Sequence, residues 1–246
     1  MEIKGKTALV TGVAGAIGGA ICRFLAEDGL RLILVDVDED GIQKIADELD
    51  VETYALALDV SNYESVASGC KKAFAEFGQA DILVNVAGIL SNNKLLQTDA
   101  EEWKRVHEVN LDGPFYLSQM VVPHMKDQGW GRIVNICSYA WKSGGMTSGT
   151  AYSSSKAGMV GLTFTVAKEV AEFGVTVNGI APAYVMSPMV TEQLSEEQRQ
   201  ERMAAIPVRR FSEPDEVAHA VRFLVSPLSA FITGEIIDMN GGFQFD

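Results

Sequence analysis

The chain has 246 residues, 47% of them hydrophobic and 22% charged, which suits a globular unit with a sizeable core and excludes disorder or a fibrous repeat. Its formal net charge of -13 and pI near 4.7 create a field that repels nucleic acid, anionic lipid and acidic carrier proteins. Cys22, Cys70, Cys137, His107, His124 and His219 lack metal-ligand spacing, and no run has the length of a leader's apolar core or a membrane span. The expectation is therefore a cytoplasmic chain with reduced thiols and no metal.

In chain order, apolar β-rich runs recur at 7–11 (TALVT), 31–36 (RLILVD), 53–59 (TYALALD), 81–86 (DILVNV), 131–137 (GRIVNIC), 175–180 (VTVNGI) and 235–239 (EIIDM). Several are apolar on both faces, as strands covered from above and below must be. Helical patterns lie between them. In 16–29, Ile17, Ile21, Phe24 and Leu25 share one face and Gly29 stands where a helix stops, while 38–49 opens with an acidic turn suited to a helix N-terminus. This β-α-β alternation predicts an α/β fold, a doubly wound parallel β-sheet flanked by helices on both faces, over 1–246 as a single domain. Residues 187–214 break the alternation with a polar insertion, read either as a lid or substrate wall or as a solvated helix pair.

The first strand runs into a glycine-rich turn and a helix, TALVTGVAGAIGGAI. Gly12 permits a tight turn, Gly18 permits close helix packing, and the helix start at Gly15, Ala16 and Ile17 offers N–H groups to a pyrophosphate. Asp36 ends the second strand, where a carboxylate accepts hydrogen bonds from ribose hydroxyls and repels a 2′-phosphate. Val37 follows it instead of Arg or Lys, and Gly15 is not basic either, so NAD is favoured over NADP.

The stretch AYSSSKAG (151–158) sets Tyr152 and Lys156 four residues apart, on one face of a helix. A free phenol titrates near ~10, too high for an efficient base, but a neighbouring ammonium and an oxidised nicotinamide both stabilise the phenolate. Taken singly, such a pair reads as a core tyrosine with a lysine snorkelling past it. Its company in the chain favours acid/base chemistry. TGVAGAIG (11–18), Asp36, LDV (58–60), NVAG (85–88), Asn110, Ser138, YSSSK (152–156), NGIAPAYV (178–185) and TGEIIDMNGG (233–242) occur in the order and spacing of one family. Over nearly its whole length the sequence resembles the short-chain dehydrogenases/reductases, in the branch of roughly 250 residues with an Asn-Ser-Tyr-Lys tetrad.

The resemblance implies a Rossmann-type fold and interconversion of a secondary alcohol and a ketone by hydride transfer, with Tyr152 moving the proton. It implies that Ser138 holds the substrate oxygen, that Lys156 also binds the ribose, and that Asn110 helps order a proton path. It places Asp59 and Val60 by the adenine, Asn85, Ala87 and Gly88 along the cofactor cleft, and Pro182, Val185 and Ser187 beside the nicotinamide. A homo-oligomer, commonly a tetramer, is also implied, built on the helices of 110–125 and 152–172 and on the apolar run 231–245.

Three positions depart from the family pattern. Ala16 stands where the middle glycine of the turn is usual and could crowd the pyrophosphate; Val86 replaces an asparagine; Pro182-Ala183 replaces Pro-Gly. Near the substrate, Ala140, Lys142 and Tyr184 join Ser138 and Tyr152, with Asn92, Asn93, Trp141, Met146, Met186 and Met189 close by. This mixture suggests a small, partly polar substrate. Lys142 reads either as the receptor for an anionic group or as an exposed loop lysine. An NADPH-dependent 3-oxoacyl carrier-protein reductase is the alternative, with Arg132, Arg209 and Arg210 able to form a basic docking patch. A non-catalytic NAD(H)-binding regulator is the other.

Overall fold

The structure, a computed structural model, describes residues 3–145, 147–187, 190 and 195–245. β1 (Thr7–Thr11) is buried along its whole length because it lies inside a sheet covered on both faces. Ala8 and Val10 face one apolar layer and Leu9 the other, the period-two alternation of a strand. β2 (Arg31–Asp36), β3 (Thr53–Ala57), β4 (Ile82–Asn85), β5 (Gly131–Ile136), β6 (Val175–Pro182) and β7 (Ile236–Met239) complete the sheet. All pairings are parallel, in the order β3-β2-β1-β4-β5-β6-β7. All seven expected strands form, shifted by a residue or two at their ends. The fold is the expected Rossmann-like one.

One layer consists of α1 (Ala16–Glu27), α2 (Glu39–Glu48) and α9 (Pro214–Val225), where Ile21 and Leu25 pack with Val217 and Val221. α1 stops as its sequence requires: Gly29 takes φ +75°, its N–H donates to Ala26 O, and Leu30 N donates to Leu25 O, a Schellman closure. Asp38 caps α2 by accepting from Gly41 N at 3.1 Å. The opposite layer holds α3 (Tyr63–Glu76), α5 (Gly113–Asp127) and α7 (Thr150–Val170), through Val66, Leu117, Val121 and Val170.

Two details of this second layer position chemistry. α4 (Ala100–His107) and α5 are joined by a single π-helical turn, Glu108–Asp112, so the helix expected over 110–125 begins on that turn. Along α7, Ala151, Ser155, Met159 and Thr163 recur every four residues and are buried, so the N-terminal end of this helix projects its chemistry over the end of β5. β1 and β4 are neighbours although β2 and β3 fold to the other side of β1, and this reversal opens a crevice at the carboxyl ends of the strands.

Candidate active site

The crevice is a cleft of about 510 Å³ whose walls come from the turn after β1, the ends of β2 and β4, and Leu58-Asp59-Val60. Gly12 sits at φ +69°, and a Cβ there would lie 2.8 Å from Ala87 N. A Cβ on Gly18 would lie 2.1 Å from Gly12 O, so only glycine lets the turn close on α1. α1 has Gly15 as its N-cap, with no capping side chain and no acid in its first turn. Its first N–H groups therefore remain for an anionic group in the cleft, which fits a pyrophosphate. Ala16 is the first residue of α1 and has no positive φ, so the substitution for glycine puts no strain on the backbone.

Asp36 is held by three amides: Ala14 N donates to Oδ2 at 3.0 Å, and Val37 N and Asp38 N donate to Oδ1 at 2.8 and 3.2 Å. Its carboxylate thus lines the cleft in a fixed orientation, beside Val37. Asp59 and Val60 lie in the wall as expected. Burial draws the Asp59 carboxyl upward, but hydrogen bonds from Ser61 and the Arg105 guanidinium outweigh it and leave it below the usual range. Arg105 is the cation in this wall, and it is engaged by Asp59 and by Ser61 Oγ at 2.6 Å. Ala87, Gly88 and Ser187 also line the cleft. Thr11 Oγ1 fixes the first of these by accepting from Val86 N and Ala87 N at 3.0 Å each.

Asn85 departs from its expected role. Its side chain is buried and donates to Asn135 Oδ1 at 2.8 Å, while Asn135 Nδ2 donates to Thr163 Oγ1 at 2.9 Å. It ties β4 to β5 and α7 instead of lining the cleft. Pro182 is buried at the end of β6, where its carbonyl accepts from Tyr139 N at 2.9 Å. The side chain of Val185 belongs to the core, and its neighbours Tyr184 and Met186 make the bridge to Ser212. The Val185 amide and carbonyl consequently point away from that bridge.

Beside Gly88 of the cleft wall Asn110 and Lys156 come together, and Lys156 lies next to Tyr152, which is hydrogen-bonded to Ser138. Asn110, fully buried on the π turn, accepts from Ile89 N at 2.8 Å and donates to Ile89 O at 3.0 Å and Ser155 Oγ at 3.1 Å. It pins the loop after β4 as a strand partner would. A Cβ on Gly88 would lie 3.2 Å from Asn110 Oδ1 and 3.5 Å from Lys156 Nζ, so Gly88 keeps the space between them open. Lys156 is buried and donates to Ile136 O at 2.7 Å; burial pushes its ammonium down to about 8. Its nitrogen is 5.9 Å from the Tyr152 ring centre. The Tyr152 phenol is raised by burial, and the contact that lowers it is the hydrogen bond with Ser138. Lys156 is turned toward the carbonyl at the end of β5, on the same helix face as the phenol.

Beyond Tyr152 a second cavity of about 420 Å³ is lined by Ser138, Ala140, Tyr152 and Tyr184, as expected, and by Asn92. Tyr184 stacks on Phe211 with ring centres 5.3 Å apart. Lys142 is not in this wall. Its ammonium pairs with Asp238 at 2.5 Å, with the side chains only 11% and 17% exposed, so its charge is already neutralised by the protein. Asn93 is tied to Glu102 at 2.8 Å, and Trp141 packs on the cluster around Met159. Met146 and Met189 lie outside the described residues. The insertion does contribute: Val190, Gln198 and Arg202 stand in the cavity wall, the last two on α8 (Glu196–Ala205). Sequence reasoning missed Tyr139, Gln198 and Arg202. For the last pair the one available signal was their i, i+4 spacing within the insertion.

The basic patch considered for a carrier protein does not assemble. Arg132 is 1% exposed beneath Trp130, and Arg210 is forked onto Glu216 at 2.6 and 2.8 Å. Among the described residues no helix is long and apolar enough to cross a membrane, and no cluster could hold a metal ion.

A glycine turn at a strand switch point, leading to a buried lysine and a serine-bonded tyrosine at the mouth of a small cavity, defines a nicotinamide-dependent oxidoreductase. Comparison with known proteins agrees. A family model described as enoyl-(acyl carrier protein) reductase matches residues 12–244. The chain is 43% identical to the 3-oxoacyl-(acyl-carrier-protein) reductase FabG of Vibrio cholerae over 242 residues and 41% identical to that of Escherichia coli over 243, covering 98% of each chain and 98% of this one. Nodulation protein G of Azospirillum brasilense is 38% identical with the same coverage. The crystal structure of a 3-oxoacyl-(acyl-carrier protein) reductase from Brucella melitensis superposes with a TM-score of 0.93 at 29% identity, covering 99% of this chain and 93% of that one. The chain belongs to the short-chain dehydrogenase/reductase family.

Proposed function

We propose that the chain reduces the ketone of 3-oxoacyl thioesters to the 3-hydroxyacyl product, with NADH as the hydride source. The observation that carries the reaction type is the hydrogen-bonded Ser138 and Tyr152 in the cavity wall, with the Lys156 nitrogen 5.9 Å from the phenol ring centre and beside Gly88 of the cleft. The names of relatives matched almost end to end support the thioester, ahead of the small polar alcohol first expected. Asp36 supports NADH, because its fixed carboxylate meets the ribose and repels a 2′-phosphate.

A bound nicotinamide supplies the hydride. The protein's part is positional and protolytic. Ser138 donates to the ketone oxygen, Tyr152 gives that oxygen its proton, and the buried Lys156 ammonium holds the ribose and keeps the pocket positive as charge develops. Asn110 keeps the Gly88-Ile89 loop in register beside Lys156, and through that space a water-linked path replenishes the tyrosine's proton. The convergence of all four side chains speaks against a mere NAD(H)-binding regulator. Exposed Trp103 and Phe115, with Phe164 on α7 and Phe231 near the C-terminus, support assembly into a homo-oligomer of the tetrameric kind.

The test is the initial rate on the N-acetylcysteamine thioester of 3-oxobutanoate with each cofactor. NADH is expected to exceed NADPH in kcat/KM by on the order of tenfold or more, the size of a screened repulsion of about 1–2 kcal/mol between a carboxylate and a phosphate. Asp36→Asn should narrow that ratio. A preference for NADPH in the unaltered protein refutes the cofactor reading, and absence of thioester reduction with either cofactor refutes the substrate reading.

A further inference from the structure

We propose that the cavity also takes short oxo acids and hydroxy acids as free carboxylates, with Arg202 as the residue that binds the carboxylate. The proposal rests on the reading of this cavity as the substrate site of a ketone reductase, and adds a substrate class to it.

Arg202 is the single Lys or Arg in the described cavity wall, and no Asp or Glu lines that wall. Its Nε is shut off from water and has no hydrogen-bond partner. A nitrogen shut off from water is shut off from a ligand oxygen as well, so a substrate carboxylate would meet the terminal nitrogens of this guanidinium. The helix that carries it is rich in acids, so an ion pair within α8 was available. Arg199, three residues earlier, takes one with Glu196 at 2.6 Å. Arg202 instead turns into the cavity beside Gln198, one turn away on the same face, which supplies a neutral amide next to the charge. A guanidinium is a planar fork matched to two carboxylate oxygens. The same cavity wall carries Ser138 and Tyr152, the pair that handles the ketone or alcohol oxygen. A volume of about 420 Å³ holds a molecule with both groups close together, as in a short 3-oxo acid. The Lys142–Asp238 pair leaves Arg202 as the cation free for this role.

In the oxidative direction the balance is simple. The carbinol C–H bond breaks and its hydride passes to the oxidised nicotinamide, the hydroxyl proton passes to Tyr152 and on to solvent, and the C=O bond forms; the carboxylate is unchanged.

The experiment compares 3-oxobutanoate with its methyl ester and with the N-acetylcysteamine thioester, in the unaltered protein, Arg202→Lys and Arg202→Met, all with NADH. Calorimetric titration of the NADH complex with malonate, an unreactive dicarboxylate, gives a binding readout. The expected result is turnover of the acid, a fall of roughly 30- to 100-fold in the acid-to-ester ratio of kcat/KM in Arg202→Met, expressed in KM, and partial recovery in Arg202→Lys. Malonate should bind the unaltered protein and lose at least tenfold in Arg202→Met. An unchanged ratio in Arg202→Met, or thioester reduction with no turnover of the acid, overturns the proposal while sparing the thioester reading. Turnover of the acid without that of the thioester does the reverse.

Discussion

Gly18 and Gly19 are neighbours in the first turns of α1, yet adding one methyl group to each should have very unequal consequences. On Gly18 the new Cβ meets only backbone: Gly12 O at 2.1 Å, Gly12 C at 2.7 Å and Val13 Cα at 2.9 Å. Restoring ordinary contact, about 3.2 Å or more, means parting the turn from the helix by about 1 Å. Overpacking of this kind costs about 1–3 kcal/mol. With an unfolding entropy of about 2.1 cal/mol/K per residue over 246 residues, roughly 0.5 kcal/mol/K in all, Gly18→Ala should lower Tm by about 2–6 °C. The same displacement moves the N–H groups that meet the pyrophosphate, so NADH affinity should fall by at least about tenfold, since roughly 1.4 kcal/mol of lost contact suffices. On Gly19 the new Cβ meets the Ile45 Cδ1 methyl at 3.0 Å, the end of a flexible side chain. The helix-propensity gain of about 1 kcal/mol for Gly to Ala offsets that contact, leaving Gly19→Ala within about 1 kcal/mol of the parent. The assays are calorimetric unfolding and fluorescence titration with NADH. Equal effects of the two substitutions, or a Gly18→Ala protein that binds NADH like the parent, would refute the reasoning.

Lys156 makes the chemistry pH-dependent. Burial holds its folded-state pKa at about 8, below the ordinary lysine value, so the charged amine costs stability in full below pH 8 and this cost relaxes as pH rises above it. The ammonium that meets the ribose is lost over the same range, so the Kd for NADH should rise as pH passes about 8. Lys156→Arg should move that inflection out of range, and an inflection unmoved by it would assign the titration to another group. Lys142→Met should act on stability, because it strands Asp238 with side-chain exposure of only 17%. About 2–3 kcal/mol, or a fall in Tm of roughly 4–6 °C, is expected, with the acid-to-ester selectivity unchanged. A selective rise in KM for the acid with no change in Tm would restore Lys142 as an anion receptor.

The order of strands and helices, the glycine turn, Asp36 and the Tyr152–Lys156 pair were legible in the sequence because each rests on local physics, whereas Asn110 and Ser138 came from the family resemblance. Period-two and period-3.6 apolar patterns decide which faces are buried, Gly12 and Gly18 answer a close approach within seven residues, and Tyr152 and Lys156 share a helix face by spacing alone. What lies between distant segments had to come from the tertiary structure. Lys142 and Asp238 are 96 residues apart and Asn85 and Asn135 are 50 apart, so nothing in either neighbourhood signals that the partners neutralise a charge or bridge two strands. The basic patch failed for the same reason, because Arg132 lies in a strand whose burial comes from elements elsewhere in the chain. Arg202 looked like one more charge on a polar helix. Only the tertiary structure, which sets its helix around the same cavity as Ser138 and Tyr152, turns it into the cavity wall, since the direction of a long side chain on an amphipathic surface is chosen by what the fold sets against it.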